Sequence, residues 1–198
     1  RTVLDLDALA EQDAVSWVWS GYEVLNEGPK STWDRVLISL SPGGSDAVVV
    51  REFDLESCKF IPQEDGGFYL SEAKSGVSYK SRDEVFVGTD FGEGSLTNSG
   101  YPRLSKVWKR GTPLEEAVLV FEGEAEDICA DQSLYHDRGH WHELRYRVLD
   151  FYTTKKWYRP ASSPETGDVN GEFIEVKIPE DASLGTFADA AIITLRSD

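Results

Sequence analysis

Val36-Leu37-Ile38-Ser39-Leu40 is the first of four similar strand-like stretches in this chain. The other three are Glu84-Val85-Phe86-Val87-Gly88, Tyr146-Arg147-Val148-Leu149-Asp150 and Ala191-Ile192-Ile193-Thr194-Leu195. Their centres, at residues 38, 86, 148 and 193, lie 48, 62 and 45 residues apart. A repeat of roughly 40 to 50 residues with about four short strands is typical of the blades of a β-propeller. The pattern therefore predicts an all-β fold, a partial β-propeller of about three four-stranded antiparallel blades plus the start of a fourth.

Turn residues between these stretches set the predicted blade boundaries. We expect blades at about 13–72, 73–125, 126–181 and 182–198, after a linker or crossover at 1–12. Residues 4–11 are the only stretch with helical character, so almost no helix is expected. Residues 161–171, rich in Ser, Pro, Gly and Asn, predict an exposed loop. A propeller must close, so we expect this chain, which has no Met, to be a piece of a longer one.

The first strand of each blade is the one that surrounds the axis of a propeller. The sequence places these strands at 15–19, 76–79, 128–132 and 183–187. Side chains in the first three of them are the candidates for lining a channel: Trp17, Trp19, Ser78, Tyr79 and Asp131.

A formal net charge of −16 restricts the partners of the chain. Residues 111–143 carry nine acidic residues and one basic residue. Such a field repels nucleic acid and anionic membranes, so neither is expected as a partner, and it attracts cationic peptides or a basic surface. The alternative interpretation is a solvated acidic rim that keeps the protein soluble.

The cysteines and the apolar runs bear on location. Cys58 and Cys129 show no ligand spacing and are expected to be free thiols, which favours a reducing compartment. No run approaches the ~18 apolar residues of a membrane span, and the first residues do not form a secretory signal. We therefore expect a cytoplasmic location, with the periplasm as the alternative.

His136, His140 and His142 form the one cluster with metal-like chemistry, because imidazole and nearby carboxylates suit zinc or nickel. The spacing is awkward, since the first pair would need a helix and the second a strand. The alternatives are a native metal site, adventitious metal binding and a polar loop around Gly139. No cofactor is expected.

Four segments resemble a known family. They are 4–10 (LDLDALA), 41–54 (SPGGSDAVVVREFD), 88–103 (GTDFGEGSLTNSGYPR) and 108–117 (WKRGTPLEEA). Across residues 4–127 the chain is similar to the N-terminal β-propeller of the prolyl oligopeptidase family of serine peptidases. The resemblance implies a propeller over an α/β-hydrolase domain, which it screens from large folded proteins.

The chain departs from that family in its catalytic apparatus. The family's chemistry needs a serine in a Gly-x-Ser-x-Gly turn, followed by Asp and His. No such pentapeptide occurs, because Gly44-Ser45-Asp46 is followed by Ala47 and Val77-Ser78-Tyr79 by Lys80. No catalytic residue is therefore assigned, and any peptidase activity is expected of a serine-type parent protein.

Two functions from different classes remain open. The first is a non-catalytic propeller fragment that gates or filters peptide access to the α/β-hydrolase domain of a parent chain. The second is a free-standing propeller-like module for protein interactions. In either case the open blade edges predict self-association, most simply a homodimer.

Overall fold

The computed structural model describes residues 1–161 and 171–196. Most of the predicted loop at 161–171 therefore lies outside the described residues. Within them, the strands form four antiparallel sheets that follow one another along the chain. These sheets confirm the all-β partial propeller, and we call them blades 1 to 4 in chain order.

Blade 1 follows a short helix, α1 (Leu6–Asp13), and contains β1 (Trp17–Val24), β2 (Arg35–Pro42), β3 (Val48–Asp54), β4 (Lys59–Phe60) and β5 (Tyr69–Ala73). Blade 2 contains β6 (Gly76–Ser81), β7 (Glu84–Gly88), β8 (Leu104–Lys109) and β9 (Val118–Glu122). Blade 3 contains β10 (Cys129–Asp137), β11 (His140–Val148), β12 (Thr154–Ala161) and β13 (Ile174–Glu175). Blade 4 is represented by β14 (Ser183–Phe187) and β15 (Ala190–Thr194).

In blades 2, 3 and 4 consecutive strands pair, as they do from β1 to β4 in blade 1. The four strand-like stretches that open the sequence analysis fall on β2, β7, β11 and β15, the second strand of every blade. The repeat thus marks the same strand of each blade, and its uneven spacing arises in part because the stretch at 146–150 covers only the end of β11.

The fourth strand of blade 1 differs from the prediction because it is divided. Both β4 and β5 pair with β3, and residues between them leave the sheet. Pro62, which has no N–H to give to a ladder, lies at this departure. Gly67 lies at the return, where the backbone passes so close to Ile61 that an added Cβ would be 2.2 Å from the Ile61 carbonyl oxygen.

Blades 1 and 2 share a continuous apolar core. Alternation along β3 places Val48 and Val50 on the side that faces blade 2, where they are buried. Val85, Val87 and Trp108 of blade 2 pack into the same cluster. Burial of this interface is a main source of stability, since apolar area removed from water contributes about 25 cal/mol per Å².

The other side of blade 1 is its free face, which α1 covers in part. Val36, Ile38 and Phe53 are buried there with Leu9 of the helix. Asp5 caps α1 by accepting hydrogen bonds from two backbone N–H groups of its first turn. The segment predicted as a linker therefore packs against the sheet.

One predicted strand boundary is wrong. The sequence pattern predicts a strand at 146–150 and none at the histidines, whereas β11 begins at His140 and ends at Val148. Arg138 and Gly139, with φ of 46° and 91°, form a two-residue turn between β10 and β11. Positive φ at both positions matches the right-handed twist of a hairpin.

Across the described ranges, no helix combines the length and apolar character that crossing a bilayer requires.

Candidate functional site

The first strands of blades 1, 2 and 3 adjoin one another. β6 contacts β1 on one side and β10 on the other. The hydroxyl of Ser78 in β6 donates to the carbonyl oxygen of Gln132 in β10 at 3.2 Å. We call the surface formed by β1, β6 and β10 the first-strand surface. That it lines a channel in a longer protein stays a prediction.

Two carboxyl groups lie on the first-strand surface, Asp131 of β10 and Glu23 of β1. Asp131 is open to solvent but crowded by protein atoms, and the loss of hydration raises the pKa of its carboxyl to about 6. Loss of hydration also raises the pKa of Glu23, and the negative charge of Asp131 adds to that effect. The two groups come from blades 1 and 3, so the surface carries a concentrated negative charge that attracts cationic groups.

Tyr79, another predicted channel residue, does not face an opening. Its side chain is 4 % exposed and lies between blades 1 and 2. Its hydroxyl donates to Oε1 of Glu52 at 2.8 Å. Burial and the neighbouring carboxylate raise the pKa of Tyr79 well above its ordinary value. The prediction for Tyr79 is therefore wrong, because alternation along β6 directs it into the core.

The two tryptophans among the predicted residues lie on the free face of blade 1. Trp17 packs against the apolar cluster there and donates from Nε1 to Asp13 at 3.1 Å. Trp19 is 45 % exposed, and its ring lies 6.1 Å from that of Tyr22. Of the five predicted residues, Ser78 and Asp131 thus lie on the first-strand surface away from the free face of blade 1.

A charged pair that the sequence analysis did not find joins blades 1 and 2. Glu52 of β3 is fully buried, and Arg110 donates to both of its carboxylate oxygens, at 2.6 and 2.9 Å. The N–H of Phe68 and the hydroxyl of Tyr79 also donate to this carboxylate. Two parallel bonds to a desolvated carboxylate are strong and fix the geometry. The signal in the sequence is a lone acidic residue inside the apolar run of 48–53.

Blade 3 is joined to the preceding connection by a second pair. Asp127, buried before β10, accepts from Arg147 of β11 at 2.7 Å. The guanidinium of Arg147 lowers the pKa of this carboxyl against the opposing effect of burial, which is the largest single contribution. Glu143 is also buried and is paired with Arg159. These acidic residues of 111–143 are therefore structural, whereas Glu115, Glu116, Glu122, Glu124 and Glu126 form an exposed acidic rim.

The three histidines do not converge. Opposite residues of an antiparallel pair share a face, and His136 is opposite Trp141, while His142 is opposite Tyr135. His136 therefore projects from the other side of the hairpin than His140 and His142. Among the described residues, no group of three His, Cys, Asp or Glu side chains is placed to hold a metal ion. The histidines lie in β10 and β11, on either side of the turn formed by Arg138 and Gly139.

His142 has a structural environment. It is 2 % exposed, and its Nδ1 lies 3.2 Å from the hydroxyl of Tyr158. Burial lowers the pKa of its imidazole. With Leu184 and Thr186 of blade 4, the ring lines a small cavity between blades 3 and 4.

Comparison with known proteins identifies the architecture. The family described as prolyl oligopeptidase, N-terminal β-propeller domain, matches residues 1–176. An uncharacterized peptidase of Sinorhizobium fredii is 35 % identical over 201 residues, which covers 100 % of this chain and 26 % of that protein. An uncharacterized peptidase of Rickettsia prowazekii is 28 % identical over 206 residues, covering 100 % of this chain and 27 % of the relative.

Solved structures give the same result. A post-proline cleaving enzyme from Rickettsia typhi superimposes with a TM-score of 0.82 at 25 % identity, covering 100 % of this chain and 28 % of that one. Oligopeptidase B from Leishmania major shares the fold, with a TM-score of 0.60 at 12 % identity, and covers 96 % of this chain and 24 % of that one. The chain spans about a quarter of the length of these proteins. It belongs to the prolyl oligopeptidase family, as part of the N-terminal β-propeller domain.

Proposed function

We propose that this chain is a non-catalytic part of a serine oligopeptidase and filters the peptides that reach an α/β-hydrolase active site. The observation that carries the proposal is the adjoining arrangement of β1, β6 and β10. In a propeller such strands surround an axial opening. An opening of fixed width admits an extended peptide and excludes a folded domain.

Rigid contacts between the blades support this role. A filter selects by size only if its walls do not move apart easily. The pair Glu52–Arg110 joins blades 1 and 2, and Asp127–Arg147 joins blade 3 to the connection that precedes it, both with charge-assisted hydrogen bonds to a buried carboxylate. The negative charge of Glu23 and Asp131 adds a preference for cationic peptides over anionic ones.

The proposed partner is the catalytic domain of a parent chain. Two relatives are named as peptidases and one as a post-proline cleaving enzyme, and each is about four times the length of this chain. Free thiols at Cys58 and Cys129 fit the cytoplasmic location that we propose.

A free-standing interaction module is the weaker candidate. Both ends of the described structure expose apolar side chains, Trp19 and Tyr22 on blade 1 and Ile192, Ile193 and Leu195 on and after β15. Surfaces of this kind need to be covered. In the chain on its own, a second copy is the proposed cover, which gives a homodimer.

The test uses the longer protein in which a catalytic segment accompanies this chain. We expect it to cleave a proline-containing peptide and to lose that activity on treatment with a serine-directed fluorophosphonate. The chain alone is expected to be inactive, because covalent catalysis needs an activated nucleophile. Fluorophosphonate-sensitive cleavage by the rigorously purified chain alone would contradict the proposal.

A further inference from the structure

The loop between β1 and β2, residues 25–34, contacts blades 2 and 3 as well as its own blade. It lies at the same end of the first strands as the β6–β7 and β10–β11 turns, because it contacts Arg82 in the first turn and His136 beside the second. The loop therefore lies where the three first strands end. We call it the β1–β2 loop.

Arg82, in the β6–β7 turn, holds the β1–β2 loop to blade 2. Its guanidinium donates to both carboxylate oxygens of Glu27, at 3.2 and 2.7 Å, and to both of Asp34, at 3.1 and 2.9 Å. It also donates to the hydroxyl of Thr32 at 3.0 Å. The hydrogen bonds from Arg82 hold the pKa of Asp34 far below its ordinary value. A planar five-donor group is suited to this arrangement, and a lysine is not.

The same loop reaches blade 3 beyond blade 2. The side-chain amide of Asn26 donates to the carbonyl oxygen of His136 at 3.4 Å. Gly28 lies against the rings of His136 and Trp141, so that an added Cβ would be 3.1 to 3.2 Å from their atoms. Gly28 also has a φ of +64°, which side chains rarely adopt. A larger residue at this position would strain the backbone and press on both rings.

The loop holds its own shape. Oδ1 of Asn26 accepts hydrogen bonds from the N–H of Gly28 at 2.9 Å and from the hydroxyl of Ser31 at 3.2 Å. A single 3₁₀ turn, Gly28–Lys30, follows with Pro29 in its first turn. A loop fixed in this way transmits a displacement of one blade to the others.

We propose that the β1–β2 loop is a brace that fixes the spacing of β1, β6 and β10 at this end of the first-strand surface, with Arg82 as its main attachment. The brace would set the width of the opening through which, in the proposed function on which it rests, peptides reach the active site. Weakening the attachment separates the ends of blades 1 and 3 while leaving each sheet intact.

The experiment is hydrogen–deuterium exchange on this chain, comparing Arg82→Gln with the control Lys80→Gln. Lys80 lies in the same hairpin, and its ion pair is with Glu84 of β7, at 2.6 Å between Nζ and Oε2. We expect Arg82→Gln to raise exchange at 25–34 by roughly tenfold or more. Exchange at 136–141 should rise with it, whereas Lys80→Gln should change neither segment.

Unchanged exchange at 25–34 in a folded Arg82→Gln protein overturns the brace, as does a rise confined to blade 2. If Arg82→Gln does not fold, Asn26→Ala replaces it, and unchanged exchange at 136–141 is then the contradicting result. In the longer protein, Arg82→Gln should also increase cleavage of long chains relative to short peptides. Loosening without that increase would leave the brace standing and contradict the filter.

Discussion

Arg110 of blade 2 donates two hydrogen bonds to the carboxylate of Glu52 of blade 1, from Nη1 to Oε2 at 2.6 Å and from Nη2 to Oε1 at 2.9 Å. The guanidinium also lies over the ring of Phe68, with its centre 4.4 Å from the ring centroid. Glu52 has no exposure to solvent. The buried carboxylate of Glu52 on blade 1 thus depends on the guanidinium of Arg110 on blade 2, and this pair helps to fix the relative position of the two blades.

Arg110→Met is expected to lower the free energy of unfolding by roughly 3 kcal/mol or more, because it leaves a buried carboxylate unpaired. Urea unfolding measures the change. Lys80→Met is the control, since its pair with Glu84 is partly exposed and contributes less than about 1 kcal/mol. Adding Glu52→Met to Arg110→Met should recover part of the lost free energy of unfolding, because it removes the unpaired carboxylate. Equal destabilisation by Arg110→Met and Lys80→Met would contradict the importance of the Glu52–Arg110 pair.

Asp131→Asn is expected to stabilise the protein at pH 7.5 and to have little effect near pH 4. A raised pKa in the folded state means that folding favours the protonated carboxyl. The group therefore opposes folding once pH rises through its folded pKa of about 6. Because the side chain is exposed, the gain is only on the order of 1 kcal/mol. Thermal unfolding across this pH range checks it, and a gain that is the same at both pH values contradicts the assignment.

Gly67→Ala is expected to destabilise the chain by roughly 2 kcal/mol, the cost of forcing an extra methyl into a packed site. The new Cβ would meet the backbone carbonyl of Ile61, which cannot move without disturbing β4 and β5. Gly76→Ala is the matched control, because no atom lies within 4 Å of the position that its Cβ would take. Similar midpoints for the two variants in urea would contradict the close approach.

Self-association of the chain alone is expected to grow with salt, because screening weakens repulsion between molecules of charge −16. Light scattering at roughly 100 μM, where weak interfaces are populated, measures it. Tyr22→Lys should reduce association by placing charge on the free face of blade 1. Val118→Lys, at an exposed site of blade 2, should not. A protein that stays monomeric at both low and high salt would contradict the predicted homodimer.

The sequence predicts the fold well because the apolar runs of β2, β7 and β15 are long enough to stand out from the turns. It predicts β11 poorly, since the polar residues His140 and His142 interrupt the apolar pattern at the start of this strand. The contacts between blades are even harder to predict from the sequence. Glu52 and Arg110 are 58 residues apart, and nothing local indicates that their blades bring them together. Tyr79 shows the same limit, because only the register of β6 decides which of its faces is buried.

Size selection in the longer protein tests the central claim most directly. The measurement is kcat/KM for a short proline-containing peptide, an unstructured chain several times longer, and a folded domain that contains the same bond. The filter predicts rapid cleavage of the short peptide, slower cleavage of the long chain and none of the folded domain. Arg110→Met, which loosens blades 1 and 2, should raise the ratio of long-chain to short-peptide cleavage. Equal cleavage of all three substrates by the unmodified protein, or no change in that ratio in the folded variant, would contradict the account.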